Sequence, residues 1–252
     1  MLLLALDPSG EQILAYAKQA FRSHPRPAYV SYMVERRDRV GGFPDLENSY
    51  DLKVWCRSSD RNALMRKAWN GQVYGELVND TVAFDGYVDP GPPTADIFER
   101  ALYVRAPEAT PSPDVTALPT IGAVTTVREY DYRVTRTQRQ GSLWHLWLEP
   151  MRDPQRNRIE QLWVDATTYD VSRMFVRDHL YLGLTGQALP DEFDVRFTVR
   201  EGLPLITAIH GVTFPPTYQT DYVFREISFP ETLPAWYFEP KTYREHRRDA
   251  PT

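Results

Sequence analysis

The chain has one cysteine, Cys56, in 252 residues. A lone thiol cannot close an intrachain disulfide, and it rules out a cysteine-based zinc site. It leaves the compartment open, because disulfides are permitted but not required outside the cytosol. Long apolar runs are also missing: nothing approaches the roughly 18 residues that a membrane-spanning helix needs. Basic excess is absent, with 29 Lys and Arg against 34 Asp and Glu and a net charge of −5. No electrostatic footprint for nucleic acid follows from that balance. Glycine is scarce at 13 residues, below the usual share of roughly 7%. The Gly41-Gly42 pair lacks the following helix and lysine that would make a phosphate cradle.

Local catalytic patterns are lacking as well. The five histidines (His24, His145, His179, His210 and His246) form no H-E-x-x-H motif, and no two lie within one helical turn. No metal site or cofactor is expected from them, and His145 within Ser-Leu-Trp-His-Leu-Trp-Leu reads as a satisfied, half-buried strand histidine. No serine sits in a G-x-S-x-G elbow; Ser9 in Asp-Pro-Ser-Gly belongs to a helix start. Cys56 shares a strand face with Tyr50, Leu52 and Val54 and reads as a small core hydrophobe. Acidic groups such as Asp191/Glu192/Asp194 fit turns and solvated strand faces. A hydrolase would need a convergent polar cluster that the sequence does not display, so the chain is not expected to be an enzyme. The run Arg36-Arg37-Asp38-Arg39 reads as a solvated turn.

What the chain does have is proline and aromatic residues in alternating runs. There are 21 prolines, and Phe, Trp and Tyr make up 13%. This is the composition of many strands punctuated by proline-rich loops. Asp7 as N-cap and Pro8 at the first helical position start one helix, with Ile13, Leu14, Ala17, Ala20 and Phe21 on one stripe. Strands are expected at 28–36, 49–57, 62–69, 72–78 and 81–87, with a loop at 37–46 and a turn at Asn79-Asp80. Thr94–Leu102 reads as a short helix and Ala106–Pro119 as a long proline-rich loop. Further strands are expected at 126–137, 142–149, 159–165, 170–177, 193–199, 204–213, 217–229 and 235–238, with Leu180–Leu184 a strand or an irregular turn. The reading is mainly β (α+β): a single curved antiparallel sheet or open half-barrel of about 10–11 strands, with an N-terminal helix and short lid helices. Residues 1–243 form one domain in this reading, and 244–252 a charged, frayed tail.

The hairpin at Arg158–Asp178 carries apolar residues on both faces. Ile159 and Trp163 point one way and Leu162 and Val164 the other; on the return arm Val171 and Phe175 oppose Met174 and Val176. A sheet covered on one side alternates more cleanly than that, so something is expected on each face. Strands this rich in large apolar side chains, under short helices, make a hydrophobic cavity of the kind that takes apolar ligands. The same side chains also suffice simply to fill a core. Candidate lining residues are Trp55, Trp69, Trp147, Trp163 and Phe175.

Three stretches resemble the LolA/LolB-like superfamily of periplasmic lipoprotein carriers and receptors. They are Asp51-Leu52-Lys53-Val54-Trp55-Cys56-Arg57 followed by Ala63–Trp69, Leu162-Trp163-Val164-Asp165 with Thr168 and Val171-Ser172-Arg173, and Trp236-Tyr237-Phe238-Glu239-Pro240. The resemblance implies an N-terminal helix, an open half-barrel of about eleven strands, and a lid over an apolar cavity. It implies a non-enzymatic, monomeric envelope protein that holds a lipid or lipoprotein acyl chain. The alternative it leaves open is a protein-interaction or sensor module whose cavity is filled by its own side chains. It also implies that Arg57 occupies the place of an arginine that contacts the lid, although the family's proline after that arginine is absent here. Extra length falls in Asp89–Pro119 and around Leu180–Asp191. The opening Met-Leu-Leu-Leu-Ala-Leu admits two readings, the end of a truncated secretory signal or a hydrophobic cap on the first helix.

Overall fold

The computed structural model describes residues 7–24, 26–60, 62–81, 92–95, 97–98, 132–151, 159–182, 187–213 and 218–249. Helix α1 is Gly10–Arg22. Eleven strands follow among the described residues: β1 Tyr29–Val40, β2 Phe43–Arg57, β3 Asn62–Trp69, β4 Gln72–Thr81, β5 Tyr132–Gln140, β6 Leu143–Pro150, β7 Ile159–Asp165, β8 Val171–Leu182, β9 Gln187–Arg200, β10 Leu203–Thr213 and β11 Tyr218–Ser228. A 3-10 turn at Ala235–Phe238 and helix α2, Pro240–His246, close the chain. All strands join one sheet in the order β4-β3-β2-β1-β11-β10-β9-β8-β7-β6-β5. Every ladder is antiparallel, and β4 and β5 end the sheet without pairing to each other. The mainly β, open single-sheet architecture read from the sequence is therefore the one observed.

Among the described residues, one apolar cluster draws on every strand except β4, together with Ile13, Leu14, Ala17 and Phe21 of α1 and Ala95, Ile97 and Phe98 of the segment 92–98. Eleven strands laid flat would be about 48 Å wide at about 4.8 Å per strand, whereas a helix is only about 10 Å across. A single helix and a short segment can share a cluster with so many strands only because the sheet rolls around them. The face carrying α1 is the inner face. A second cluster, Trp55, Leu64, Tyr237, Phe238 and Tyr243, lies on the opposite, outer face, where the C-terminal segment covers β2, β3 and β4.

Several elements differ from the sequence reading. The N-cap of α1 is Ser9 rather than Asp7, in a reciprocal capping box with Gln12. Residues 37–46, read as a loop, are mostly strand: β1 and β2 meet at Gly41-Gly42, whose φ values of 58° and 84° suit a two-residue hairpin turn. β4 runs straight through Asn79-Asp80, while the return strand at 82–87 lies outside the described residues. Of Thr94–Leu102 only Thr94, Ala95, Ile97 and Phe98 are described, and none of these four is helical; Asp96 and Glu99–Leu102 lie outside the described residues, as does Ala106–Pro119. Leu180–Leu182 continues β8. Residues 235–238 are a 3-10 turn, and α2 takes in the first part of the stretch read as a frayed tail, with Tyr243 buried.

The hairpin β7–β8 is where alternation misled most. Register shifts fall between Ile159 and Gln161 and between Trp163 and Val164. A bulge moves every later side chain to the other face. Ile159, Leu162, Val164, Val171, Met174 and Val176 therefore all join the inner cluster. The hairpin is apolar on one face and mixed on the other.

Candidate functional site

The inner face has a floor, a cover and a polar end. The floor is the sheet itself, with Tyr32, Leu146, Leu162, Met174 and Tyr222 fully buried. α1 covers one end and packs against β5 and β6. Its Glu11 carboxylate accepts the Val134 N–H of edge strand β5 at 2.7 Å. Gly10 allows that approach, since a Cβ there would lie 2.3 Å from Thr137 Oγ1 and 2.6 Å from Val134 Cγ1.

Beside α1 the cover is irregular backbone. Ile97 and Phe98 are 0% and 1% exposed, and Phe98 packs edge-on against Phe21 at 5.5 Å. Phe21 in turn packs edge-on against Phe197 of β9 at 6.2 Å. The segment is fastened to the sheet where Ile206 N–H donates to Pro93 O at 2.8 Å. These two side chains occupy apolar volume between helix and sheet without belonging to a regular element.

The polar end is a buried ion pair. On β1, Arg36 and Asp38 follow Val34 at alternate positions. The guanidinium forks onto Asp38, Nε to Oδ1 at 3.0 Å and Nη2 to Oδ2 at 2.7 Å. The Asp38 side chain is 0% exposed. The Tyr218 hydroxyl also donates to Asp38, and Asp38 N–H donates to Ser49 Oγ at 3.0 Å. The Arg36 guanidinium lies 5.5 and 5.6 Å from the ring centroids of Tyr50 and Tyr222. Burial works to lower the Arg36 pKa, but the Asp38 hydrogen bond and the surrounding groups outweigh it and raise the pKa, so Arg36 stays charged. Burial, with Asp38 as hydrogen-bond partner, raises the Tyr218 pKa. The reading of Arg36-Arg37-Asp38-Arg39 as a solvated turn is thus corrected: the run is strand, and two of its charges point inward. An Arg-x-Asp spacing after an alternating apolar run was the available signal.

The outer face carries a stacked row across β5 to β9. Arg136 lies over Trp147 at 4.4 Å, Trp147 packs on His145 at 3.6 Å, His145 stacks on Trp163 at 4.0 Å, and Arg173 lies over Trp163 at 4.4 Å. Asp194 holds Arg173 at 2.6 Å. His145 has both ring nitrogens engaged, Nε2 with Gln161 Oε1 at 2.9 Å and Nδ1 with Gln140 Nε2 at 3.2 Å. The two amides fit a neutral ring that donates from Nε2 and accepts at Nδ1. Burial lowers its pKa, the Gln161 bond opposes that, and Arg173 and Arg136 reinforce it.

The aromatic residues singled out from the sequence fall largely outside the inner face. Trp147 and Trp163 meet in the outer row. Trp55 is buried in the outer cluster, edge-on to Tyr237 at 5.8 Å. Phe175, opposite Gln161 and Asp194 in register, is half-buried and alternates with the inward Met174 and Val176. Trp69 ends β3 beneath the Arg37 guanidinium at 5.2 Å. Arg57 faces the β2–β3 turn, with Nε 2.9 Å from Asp60 Oδ1, and lies 4.6 Å from the Phe238 ring. Its neighbours belong to the C-terminal segment, not to the cover at 92–98. Ring size marks a residue that packs, but not the face it packs on. Cys56 is buried in the inner cluster. Among the described residues no group of three or more His, Cys, Asp or Glu side chains could hold a metal ion, and no helix is long and apolar enough to cross a membrane.

No family model and no curated protein matches the sequence. Solved structures similar to it include a LolA superfamily protein from Nitrosomonas europaea, 13% identical, covering 93% of this chain and 99% of that one with a TM-score of 0.41. A DUF1329 family protein from Desulfovibrio piger is 14% identical, over 92% of this chain and 96% of that one, TM-score 0.43. An outer membrane lipoprotein-sorting protein domain from Vibrio parahaemolyticus is 10% identical, over 92% and 98%, TM-score 0.43.

Proposed function

We propose that the protein is a non-enzymatic carrier of the cell envelope that holds the acyl chain of a lipid or lipoprotein against its inner face. The observation that supports this is the nature of the cover. Ile97 and Phe98 are as buried as any core residue, yet both stand in turns rather than in a helix or strand, and Pro93 before them is fastened to the sheet by the hydrogen bond from Ile206. Side chains held that way can be exchanged for a ligand of like polarity without dismantling the sheet. Each methylene of an acyl chain taken from water contributes about 0.8 kcal/mol, so a few carbons offset the loss of the cover's own contacts. The Arg36–Asp38 pair lies against Tyr50 and Tyr222 of the same inner cluster.

The second reading is an envelope module that binds a protein partner and keeps its interior filled. The near-complete burial of Ile97 and Phe98 favours it. Phe98→Ala separates the two. A carrier with its cover residue removed should bind a fluorescent fatty acid several-fold more tightly than wild type. A filled core should lose about 3–5 kcal/mol of stability and bind no probe in either form.

A further inference from the structure

The rolled sheet has a split in its wall. The ladder between β10 and β11 runs from Thr213/Tyr218 only as far as Ala208/Val223. Beyond that point both strands are bulged. In β10 the register against β9 shifts between Ile206 and Ala208. In β11 two residues, Glu226 and Ile227, occupy the space opposite Tyr32 of β1, and Glu226 takes a left-handed φ of 50° inside the strand. A non-glycine residue in that region costs energy and is enriched where a fold is built to do something.

The split opens a cavity of about 210 Å³. Leu205, Phe224 and Ile227 line it, and all three belong to the same apolar cluster as Phe98 and α1. Its rim includes Thr207, Arg200 and Arg225. Ligand pockets are usually about 300–1,000 Å³, so this volume is too small to be a complete site. One hydrogen bond spans the split, from Arg200 Nη1 to Ile227 O at 2.9 Å. On the β10 side, Ile206 N–H, with no partner in β11, goes to Pro93 O of the cover. The rim charges are balanced, Arg225 by Glu35 at 2.8 Å, Glu226 by Lys53 at 2.6 Å and Arg200 by Glu201 at 3.9 Å. The opening therefore suits an uncharged aliphatic chain, with arginine stems as its sides.

We infer that the β10–β11 split is the gate through which an acyl chain passes sideways into the interior, and that its passage frees the cover by displacing Pro93 from Ile206. The inference rests on the carrier reading above. It is tested by stopped-flow mixing of the intact protein with a fluorescently labelled dodecanoic acid. Thr207→Trp, which obstructs the opening, should slow association at least tenfold. Arg200→Gln, which removes the bridge to Ile227 O, should speed it at least threefold, with the equilibrium affinity of both variants within threefold of wild type. Association rates equal to wild type in a folded Thr207→Trp would overturn the gate. If that variant does not fold, an unchanged rate in Arg200→Gln, an exposed position, overturns it instead. A wild-type protein that fails to bind the probe defeats the carrier reading itself, which is a distinct result.

Discussion

Asp38 has no exposed side-chain surface, and its carboxylate oxygens accept from Arg36 and Tyr218. Removing one member of such a pair strands the other in a dry site, at a cost of about 3–5 kcal/mol. Asp38→Ala should therefore lower the unfolding free energy by that much in urea titration. The double change Arg36→Met with Asp38→Leu should recover most of it, because the desolvation cost of both charges vanishes together. A single-variant loss below about 1 kcal/mol would mean that the pair is not buried as described. His145 makes a pH-dependent contribution. Its pKa is lowered in the folded protein, so below the ordinary histidine value of about 6.5 the unfolded chain binds the extra proton first. Stability from this residue is full above that pH and is lost as pH falls towards the folded value. Thermal unfolding followed from pH 7.5 to 5 should show a decline that His145→Gln flattens. Equal slopes in the two proteins would show that His145 makes no such contribution.

At the scale of elements, α1 is the regular part of the cover, and it is pinned at both ends. Ser9 closes its first turn, Glu11 holds the β5 edge, and Phe21 reaches β9. Ser9→Ala should cost about 1 kcal/mol, read as a lower denaturation midpoint with an unchanged slope; a silent substitution would show that the cap does not hold the helix. Elements were also where sequence reading succeeded and failed for identifiable reasons. Alternation placed most strands, because a strand with one buried face must alternate. It missed residues 37–46, where four charges and a glycine pair imitate a loop although Arg36 and Asp38 neutralise each other indoors. It misjudged β7–β8 because two register shifts, invisible in composition, put Ile159 with Leu162 and Val171 with Met174 on one face. Aromatic content at 235–238 suggested a strand, but those rings cap the outer face from a 3-10 turn.

For the molecule as a whole, composition was enough to read an open, mainly antiparallel sheet, but not its strand order. The pairing of β1 with β11 joins residues nearly 200 apart, and no local pattern encodes that. The choice of inner face was equally hidden: Trp55, Trp147 and Trp163 look like cavity residues by size, yet they pack on the outer face, while Ile97 and Phe98 sit inside. On the proposed function, those two side chains hold the place of an acyl chain, and native mass spectrometry of the protein purified from its own host shows whether one is bound. The expected result is a population carrying the added mass of an acyl lipid or lipoprotein fragment, enlarged in Phe98→Ala. Bare protein mass alone in both forms, after gentle extraction, would contradict it.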